Sequence, residues 1–110
     1  MVGRSDVQRV IEGIVAKLVA GYKPQKVILF GSHERGDARP DSDIDLFIIQ
    51  DTEARMIDRC VEVRQIVSDP NRFIGLELLV LTPKEISTRI ALGDQFIGQI
   101  IEKGKVSYAS

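Results

Sequence analysis

Hydrophobic residues follow two kinds of spacing along the chain, and each kind predicts a different element. Between Ser5 and Ala20 they recur three and four residues apart, which places them on one face of an amphipathic helix. Gly21 and Pro24 then end that helix. The segment from Lys26 to Phe30 contains an unbroken apolar run followed by glycine, which is typical of a buried strand.

Further along, short apolar runs alternate with amphipathic stretches. The pattern predicts a helical turn from His33 to Arg35, a polar loop from Asp37 to Ser42, strands from Asp43 to Ile49 and from Phe73 to Leu81, helices from Thr52 to Val67 and from Lys84 to Leu92, a last short helix ending near Gly104, and an edge strand from Lys105 to Tyr108. This alternation favours an α/β or α+β fold, with a short mixed sheet of roughly three to five strands flanked by helices. The length of 110 residues predicts a single domain over 1–110.

Composition narrows the classes of function. The chain carries 15 Lys and Arg against 16 Asp and Glu, so we expect no broad basic surface for nucleic acid or membranes. No apolar run approaches the roughly 20 residues of a membrane-spanning helix. The single cysteine, Cys60, excludes an internal disulfide and predicts a buried thiol in a cytoplasmic protein. One histidine and one cysteine also exclude a zinc site built from histidines or thiolates.

Two carboxylates carry the clearest chemical signal. Asp43 and Asp45 stand two residues apart at the start of a predicted strand, so both side chains face the same way with Cα atoms roughly 6.6 Å apart. Like charges on one face repel, and a divalent cation between them removes that conflict. Mg²⁺ prefers hard oxygen ligands and commonly combines one or two carboxylates with substrate phosphates. The pair therefore predicts a magnesium site suited to phosphoryl transfer.

A third acid, Glu77, lies in the otherwise apolar strand from Phe73 to Leu81, where a lone charge is costly to bury. If that strand pairs beside the strand of Asp43, Glu77 joins the same metal site or serves as a base for an incoming hydroxyl. The alternative is a glutamate at a strand end or on a solvated face. The sequence leaves both readings open, and strand pairing decides between them.

The turn between the first two strands has the features of a phosphate-binding loop. Gly31 after a strand lets the backbone approach a ligand closely, and the Ser32 hydroxyl can donate to a terminal phosphate oxygen. Arg35, one helical turn later, can place its guanidinium against a triphosphate. His33 lies in the same turn and is interpreted as an exposed loop histidine.

These residues resemble the minimal nucleotidyltransferases of the DNA polymerase beta-like nucleotidyltransferase superfamily, whose signature is Gly-Ser, a spacer and Asp-x-Asp. Here the signature runs from Gly31-Ser32 to Asp43-Ile44-Asp45, and the likeness covers nearly the whole chain. It implies the nucleotidyltransferase fold, with Gly31 and Ser32 holding the triphosphate of an NTP, expected to be ATP. It also implies that Asp43 and Asp45 bind two catalytic Mg²⁺ ions, with Glu77 as third ligand or base.

The resemblance also implies a partner. Many members of the family look like antitoxins paired with a HEPN-domain protein, and some transfer the nucleotide to a tyrosine of that protein. Two positions depart from the family's pattern: Glu77 stands where many relatives carry aspartate, and His33 stands where a basic or aromatic residue is common. The first substitution can reposition a metal ion, and the second can alter phosphate affinity.

Three functions remain in competition. The first is transfer of a nucleoside monophosphate, expected to be AMP, from an NTP to a hydroxyl, with a tyrosine of a HEPN-type partner as the expected acceptor. The second is an antitoxin that acts by occlusion and keeps a vestigial nucleotide site; an exposed apolar patch at Phe96, Ile97, Ile100 and Ile101 would support it. The third, modification of a small molecule such as an antibiotic, is disfavoured by the short chain. A homo- or hetero-oligomer is compatible with each.

Overall fold

The computed structural model describes residues 4–39 and 41–110; Pro40, placed in the predicted polar loop, lies outside the described residues. The elements are α1 (Arg4–Gly21), β1 (Lys26–Phe30), α2 (Ser32–Arg35), β2 (Ile44–Ile49), α3 (Met56–Ile66), β3 (Leu76–Leu81), α4 (Pro83–Ala91), α5 (Gln95–Lys103) and β4 (Lys105–Ala109). None of the helices in the described ranges has the length and apolar content to cross a membrane.

The four strands form one mixed sheet in the order β3-β2-β1-β4. Strand β1 runs antiparallel to both of its neighbours, β2 and β4, whereas β2 and β3 are parallel. The parallel pair requires a crossover, which α3 provides. The predicted mixed sheet flanked by helices is confirmed.

Strand β2 carries apolar side chains on both faces, and each face packs in its own core cluster. Ile44, Leu46 and Ile48 belong to a core cluster that also contains residues of α1 and α3. Phe47 and Ile49, on the opposite face, pack in a second cluster with residues of α4 and α5. The predicted alternation along β2 is therefore confirmed, and it places Asp45 on the α4 and α5 side of the sheet.

Two predicted elements extended too far. The helix predicted from Thr52 begins only at Met56, because the Ala54 amide donates to the Thr52 hydroxyl in a turn at 3.1 Å. The strand predicted from Phe73 begins at Leu76, after a loop in which the Asn71 amide donates to the Asp69 carboxylate at 2.9 Å. In both places a short polar side chain offers the backbone an alternative to regular structure.

Helical spacing makes the apolar residues of α3, Ile57 and Val61 among them, candidates for burial, but the structure buries only part of this set. Ile57 and Val61 are exposed, and Cys60 is half-buried, so the expectation of a buried thiol is wrong. Instead Arg59 turns inward with 6% relative exposure, since its guanidinium bonds Glu85 Oε1 at 2.6 Å and the Ala54 carbonyl at 2.7 Å. These acceptors stabilise a buried cation that hydrophobic periodicity does not anticipate.

Arginines of α3 also cover one edge of the sheet. The carbonyls of Gly75 and Leu81 accept bonds from β2, so the alternate carbonyls of Leu76 and Val80 point away from it. Arg64 donates to the Leu76 carbonyl at 3.3 Å, and Arg59 donates to the Val80 carbonyl at 3.4 Å. The outer edge of β3 is thereby occupied by side-chain donors.

The apolar residues of α5 are divided between the core and the surface. Ile97 and Ile100 are buried in the second core cluster, with 0% and 4% exposure. Phe96 and Ile101 are exposed at 56% and 42%. The four residues therefore do not form the continuous exposed patch that would support an antitoxin acting by occlusion.

Candidate active site

The strand pairing brings Glu77 beside Asp45. In the parallel register of β2 and β3, these two residues are direct partners, so their side chains project from the same face of adjacent strands. Asp43 directly precedes β2. Glu77 is exposed, as the alternative reading expects, but it is not isolated, because it lies next to another acid.

Two glycines make room for the aspartates. A Cβ atom at Gly31 would overlap the Asp45 carboxylate, and a Cβ atom at Gly75 would overlap the Asp43 carboxylate. Gly31 also has a φ of +79°, in the left-handed region that favours glycine. Each acid therefore packs against a main-chain segment that only glycine leaves open: Gly31 ends β1, and Gly75 precedes β3.

The electrostatic environment of Asp45 reflects this crowding. Burial raises the pKa of the Asp45 carboxyl above its ordinary value, and the negative charges of Glu77 and Asp43 raise the pKa further. His33 and Arg35 act in the opposite direction with smaller effect. A bound cation would reduce the repulsion between this half-buried acid and the like charges around it.

The three acids do not form a closed cage. Within residues 4–39 and 41–110, no three His, Cys, Asp or Glu side chains converge closely enough to enclose a metal ion. Asp45 and Glu77 are partners in register, and the charges of Glu77 and Asp43 act on Asp45, but the three side chains do not converge tightly. Unneutralised carboxylates repel one another, and hard oxygen donors are the ligands that Mg²⁺ takes. The donor set fits such an ion.

His33 links the glycine turn to the aspartates. Its Nε2 donates to the main-chain carbonyl of Ser42 at 3.0 Å, across nine residues. The carbonyl can only accept, so the proton sits on Nε2. His33 is half-buried, so the interpretation as an exposed loop residue is wrong. The bond fixes the end of the loop that leads into Asp43.

A cavity of about 840 Å³ opens beside Asp45 and Gly31. Ser32 and Arg35 line it from α2, as the sequence predicted for a phosphate site. The remaining wall includes Phe30, Glu34 and, from α5 and its end, Phe96, Gln99, Ile100, Lys103 and Gly104. The cavity thus joins the acid-bearing sheet face to a helix that contributes an aromatic and a basic side chain.

Not every candidate residue lines this cavity. Asp43 and Glu77 lie outside its lining, so of the three acids only Asp45 faces it directly. Sequence reasoning missed Gly75, Gln99 and Lys103. Helical spacing of Gln99 and Lys103, four residues apart on a helix that follows the acid-bearing strands, was the available signal.

A nucleotidyltransferase domain model matches residues 9–107, which include the glycine turn, all three acids and α5. The chain belongs to the nucleotidyltransferase domain family. The general chemistry of this family is transfer of a nucleoside monophosphate from an NTP. That chemistry agrees with the position of Asp45 beside a cavity wide enough for a nucleotide.

The fold of this nucleotidyltransferase has a counterpart among solved structures. It is similar to a Sulfolobus solfataricus protein whose own assignment as a nucleotidyltransferase is provisional, with a TM-score of 0.60 and 23% sequence identity. The match covers 77% of this chain and 75% of the other. At that identity the likeness shows the shared fold alone. No curated protein sequence matches the chain significantly.

Proposed function

We propose that this nucleotidyltransferase transfers AMP from ATP to a protein hydroxyl in a Mg²⁺-dependent reaction. The observation that carries the proposal is the register pair of Asp45 and Glu77, set against the Gly31 turn at the mouth of the cavity. Acids coupled by charge lie beside this turn, and Asp45 lines the same cavity as the Ser32 and Arg35 side chains. The arrangement suits a triphosphate whose charge is shared between metal ions and basic groups.

Each residue of the site has a proposed role in the reaction. Asp43 and Asp45 would hold Mg²⁺, with Glu77 as third ligand or as base. Bound Mg²⁺ supplies charge neutralisation at the phosphates. Ser32 donates to a phosphate oxygen, and the Arg35 guanidinium holds the triphosphate in line.

The reaction balances simply. The acceptor oxygen forms a bond to the α-phosphorus while the bond from that phosphorus to the bridging oxygen breaks. Pyrophosphate leaves, and the hydroxyl proton passes to a carboxylate, a role that we assign to the exposed Glu77.

The resemblance to the minimal branch of the family suggests the acceptor. A tyrosine of a HEPN-domain protein would fit, and such a pair would act as toxin and antitoxin. Inhibition by occlusion alone is the second candidate. The exposed Ile57 and Val61 of α3 favour some protein contact, since two apolar side chains one helical turn apart face solvent.

The test uses the full chain, Mg²⁺ and the product of the adjacent gene as candidate partner, with ATP labelled on either the α- or the γ-phosphate. We expect label on the partner from α-labelled ATP only, because pyrophosphate carries the γ-label away. Asp43→Asn and Asp45→Asn should each lower labelling by about 100-fold or more, as expected for groups acting in the transition state. Asp51→Asn, at the opposite end of β2, is the matched control and should label normally.

Two outcomes would reject the transferase. Equal labelling by the Asp43→Asn, Asp45→Asn double variant would show that the acids do not act, and γ-label on the partner would indicate a kinase-like reaction. Tight partner binding with no label from either form of ATP would favour occlusion instead.

A further inference from the structure

One face of α5 lines the cavity although no sequence motif marks it. Phe96, Gln99 and Lys103 are spaced three and four residues apart, so they project from the same side of the helix. They line the same cavity as Gly31, Ser32 and Arg35. We propose that α5 forms the second half of the nucleotide site, in which Lys103 binds the triphosphate together with Arg35 and Phe96 stacks on the base. This inference rests on the proposed function only for the identity of the ligand.

Charge supports the role of Lys103. Its ammonium group has no ion-pair partner among the side chains of residues 6–39 and 41–110. Arg35 also lines the cavity, and among the described residues it is paired only with the exposed Asp37, at 3.4 Å. Exposed pairs of this kind are weak, so a phosphate can displace the partner. Two available cations in one cavity match a polyphosphate, whose charge metal ions alone neutralise incompletely.

The backbone holds Lys103 in place. The next residue, Gly104, closes the helix with a bond from its amide to the Ile100 carbonyl at 2.8 Å. A Cβ atom there would overlap the Ile28 side chain of β1, so glycine allows the helix end to lie directly on the sheet. Lys105 then pairs with Leu29 in the register of β4 and β1. Lys103 is therefore fixed between a helix end and a strand, close to the Gly31 turn.

Phe96 is suited to hold a base. It is 56% exposed, although it lines the cavity and contacts Phe30 edge-on, with ring centroids 5.9 Å apart and planes at 80°. The half-buried neighbour Phe30 orients the ring, and the exposed area of Phe96 is apolar surface that a stacked base would cover. Stacking accepts every nucleobase, since each has a π-face. We therefore expect modest base discrimination, with purines bound more tightly than pyrimidines because their ring faces are larger.

The experiment compares two ligands that share a polyphosphate and differ in the base. Calorimetry with Mg²⁺ present measures the Kd of ATP and of inorganic tripolyphosphate for the full chain. Lys103→Met should weaken both ligands about tenfold, the loss expected for a charge-assisted bond. Phe96→Ala should weaken ATP about tenfold and leave tripolyphosphate unchanged, as expected for loss of one base-stacking contact. Phe96→Tyr should restore ATP binding.

Matched controls lie on the same segment of chain. Lys105→Met removes an exposed lysine two residues beyond Lys103, and Leu92→Ala removes an apolar side chain that is 81% exposed. Neither residue lines the cavity, so both variants should bind ATP and tripolyphosphate as the unmodified chain does. An unchanged Kd in Lys103→Met, or equal losses for both ligands in Phe96→Ala, overturns the proposed site.

Failure of this inference is distinct from failure of the transferase. If label transfer is normal in Lys103→Met and Phe96→Ala at low ATP concentration, the transferase stands and the α5 subsite is wrong. If ATP binding depends on both side chains but no label moves to any acceptor, the subsite stands and the transferase is wrong.

Discussion

His33 and Ser42 are joined by a hydrogen bond from the imidazole Nε2 to the main-chain carbonyl, at 3.0 Å. The bond spans the loop between the glycine turn and the aspartates, and it ends one residue before Asp43. The His33 side chain, which lies in the proposed phosphate-binding segment, thus fixes the backbone that leads to Asp43 and Asp45. A direct hydrogen bond therefore links the Gly-Ser half of the signature to its Asp-x-Asp half.

This connection predicts a positioning role for His33. His33→Ala should lower kcat for nucleotidyl transfer about tenfold, because an acid displaced by a fraction of an ångström aligns poorly. His33→Gln, whose amide nitrogen can donate in place of Nε2, should recover most of the rate. Steady-state kinetics separate this from a phosphate-binding role, in which KM for ATP would rise and glutamine would not rescue it.

The contact between Gly31 and Asp45 predicts a loss that a matched glycine does not show. Gly31→Ala combines a left-handed φ of +79° with a Cβ that overlaps the Asp45 carboxylate. Gly93→Ala has a comparable φ of +84° with nothing near its Cβ. Both should lose about 1 to 2 kcal/mol of unfolding free energy from backbone strain. Only Gly31→Ala should also lose transfer activity, which urea titration and activity assays together would show. Equal activity in the two variants would contradict the close packing of the turn.

The contact between Gly75 and Asp43 also predicts a loss of function on substitution, here without backbone strain. Its Cβ would overlap the Asp43 carboxylate, whereas a Cβ at Gly98 in α5 meets nothing within 4 Å. Gly75→Ala should weaken Mg²⁺ binding about tenfold by displacing one ligand. Gly98→Ala should bind Mg²⁺ normally and be slightly more stable, since alanine favours a helix over glycine. Calorimetric titration of Mg²⁺ into the ATP complex measures the difference.

The crowding of the acids predicts the effect of metal removal on stability. The pKa of Asp45 is raised by burial and then by Glu77 and Asp43, so its ionised form destabilises the metal-free fold above that pKa. Asp45→Asn should therefore raise Tm by a few degrees at pH 7 in the presence of EDTA. Added Mg²⁺ should raise Tm of the unmodified chain and have little effect on the variant. A lower Tm for Asp45→Asn in EDTA would show that the charge is already compensated.

Arg59 and Glu85 predict the behaviour of the fold in acid. Hydrogen bonds from the Arg59 side chain and the Thr82 backbone hold the pKa of the Glu85 carboxyl below its usual 4.5. That contribution to stability is present above pH 4.5 and disappears as the pH falls through the lowered pKa. Glu85→Gln should unfold about 1 to 3 kcal/mol more easily at pH 7, because it leaves a buried guanidinium poorly paired. The variant should also lose this part of the acid dependence in denaturant titrations across pH 3 to 6.

The sequence predicts the helices and strands well because the spacing of apolar residues reflects which side chains are buried. The two faces of β2 were readable from alternation alone, and Gly31, Ser32 and Asp45 were found from residue type and spacing. Parallel pairing of β2 with β3 was not readable, since register depends on contacts between distant segments, and the neighbourhood of Glu77 stayed open for that reason. Lys103 was missed because a lysine in the last turn of a helix equally well complements the helix dipole. Arg59 was missed because its burial depends on Glu85, 26 residues away.

The arginines of α3 have a consequence for how this protein meets others. Guanidinium groups already satisfy the outward carbonyls of Leu76 and Val80, so a foreign strand finds few free acceptors at β3. Extension of the sheet by a second polypeptide is left to β4, the strand at the opposite edge. Lys103 stands two residues before that strand begins. A strand added at β4 would therefore begin beside the end of α5 that lines the cavity.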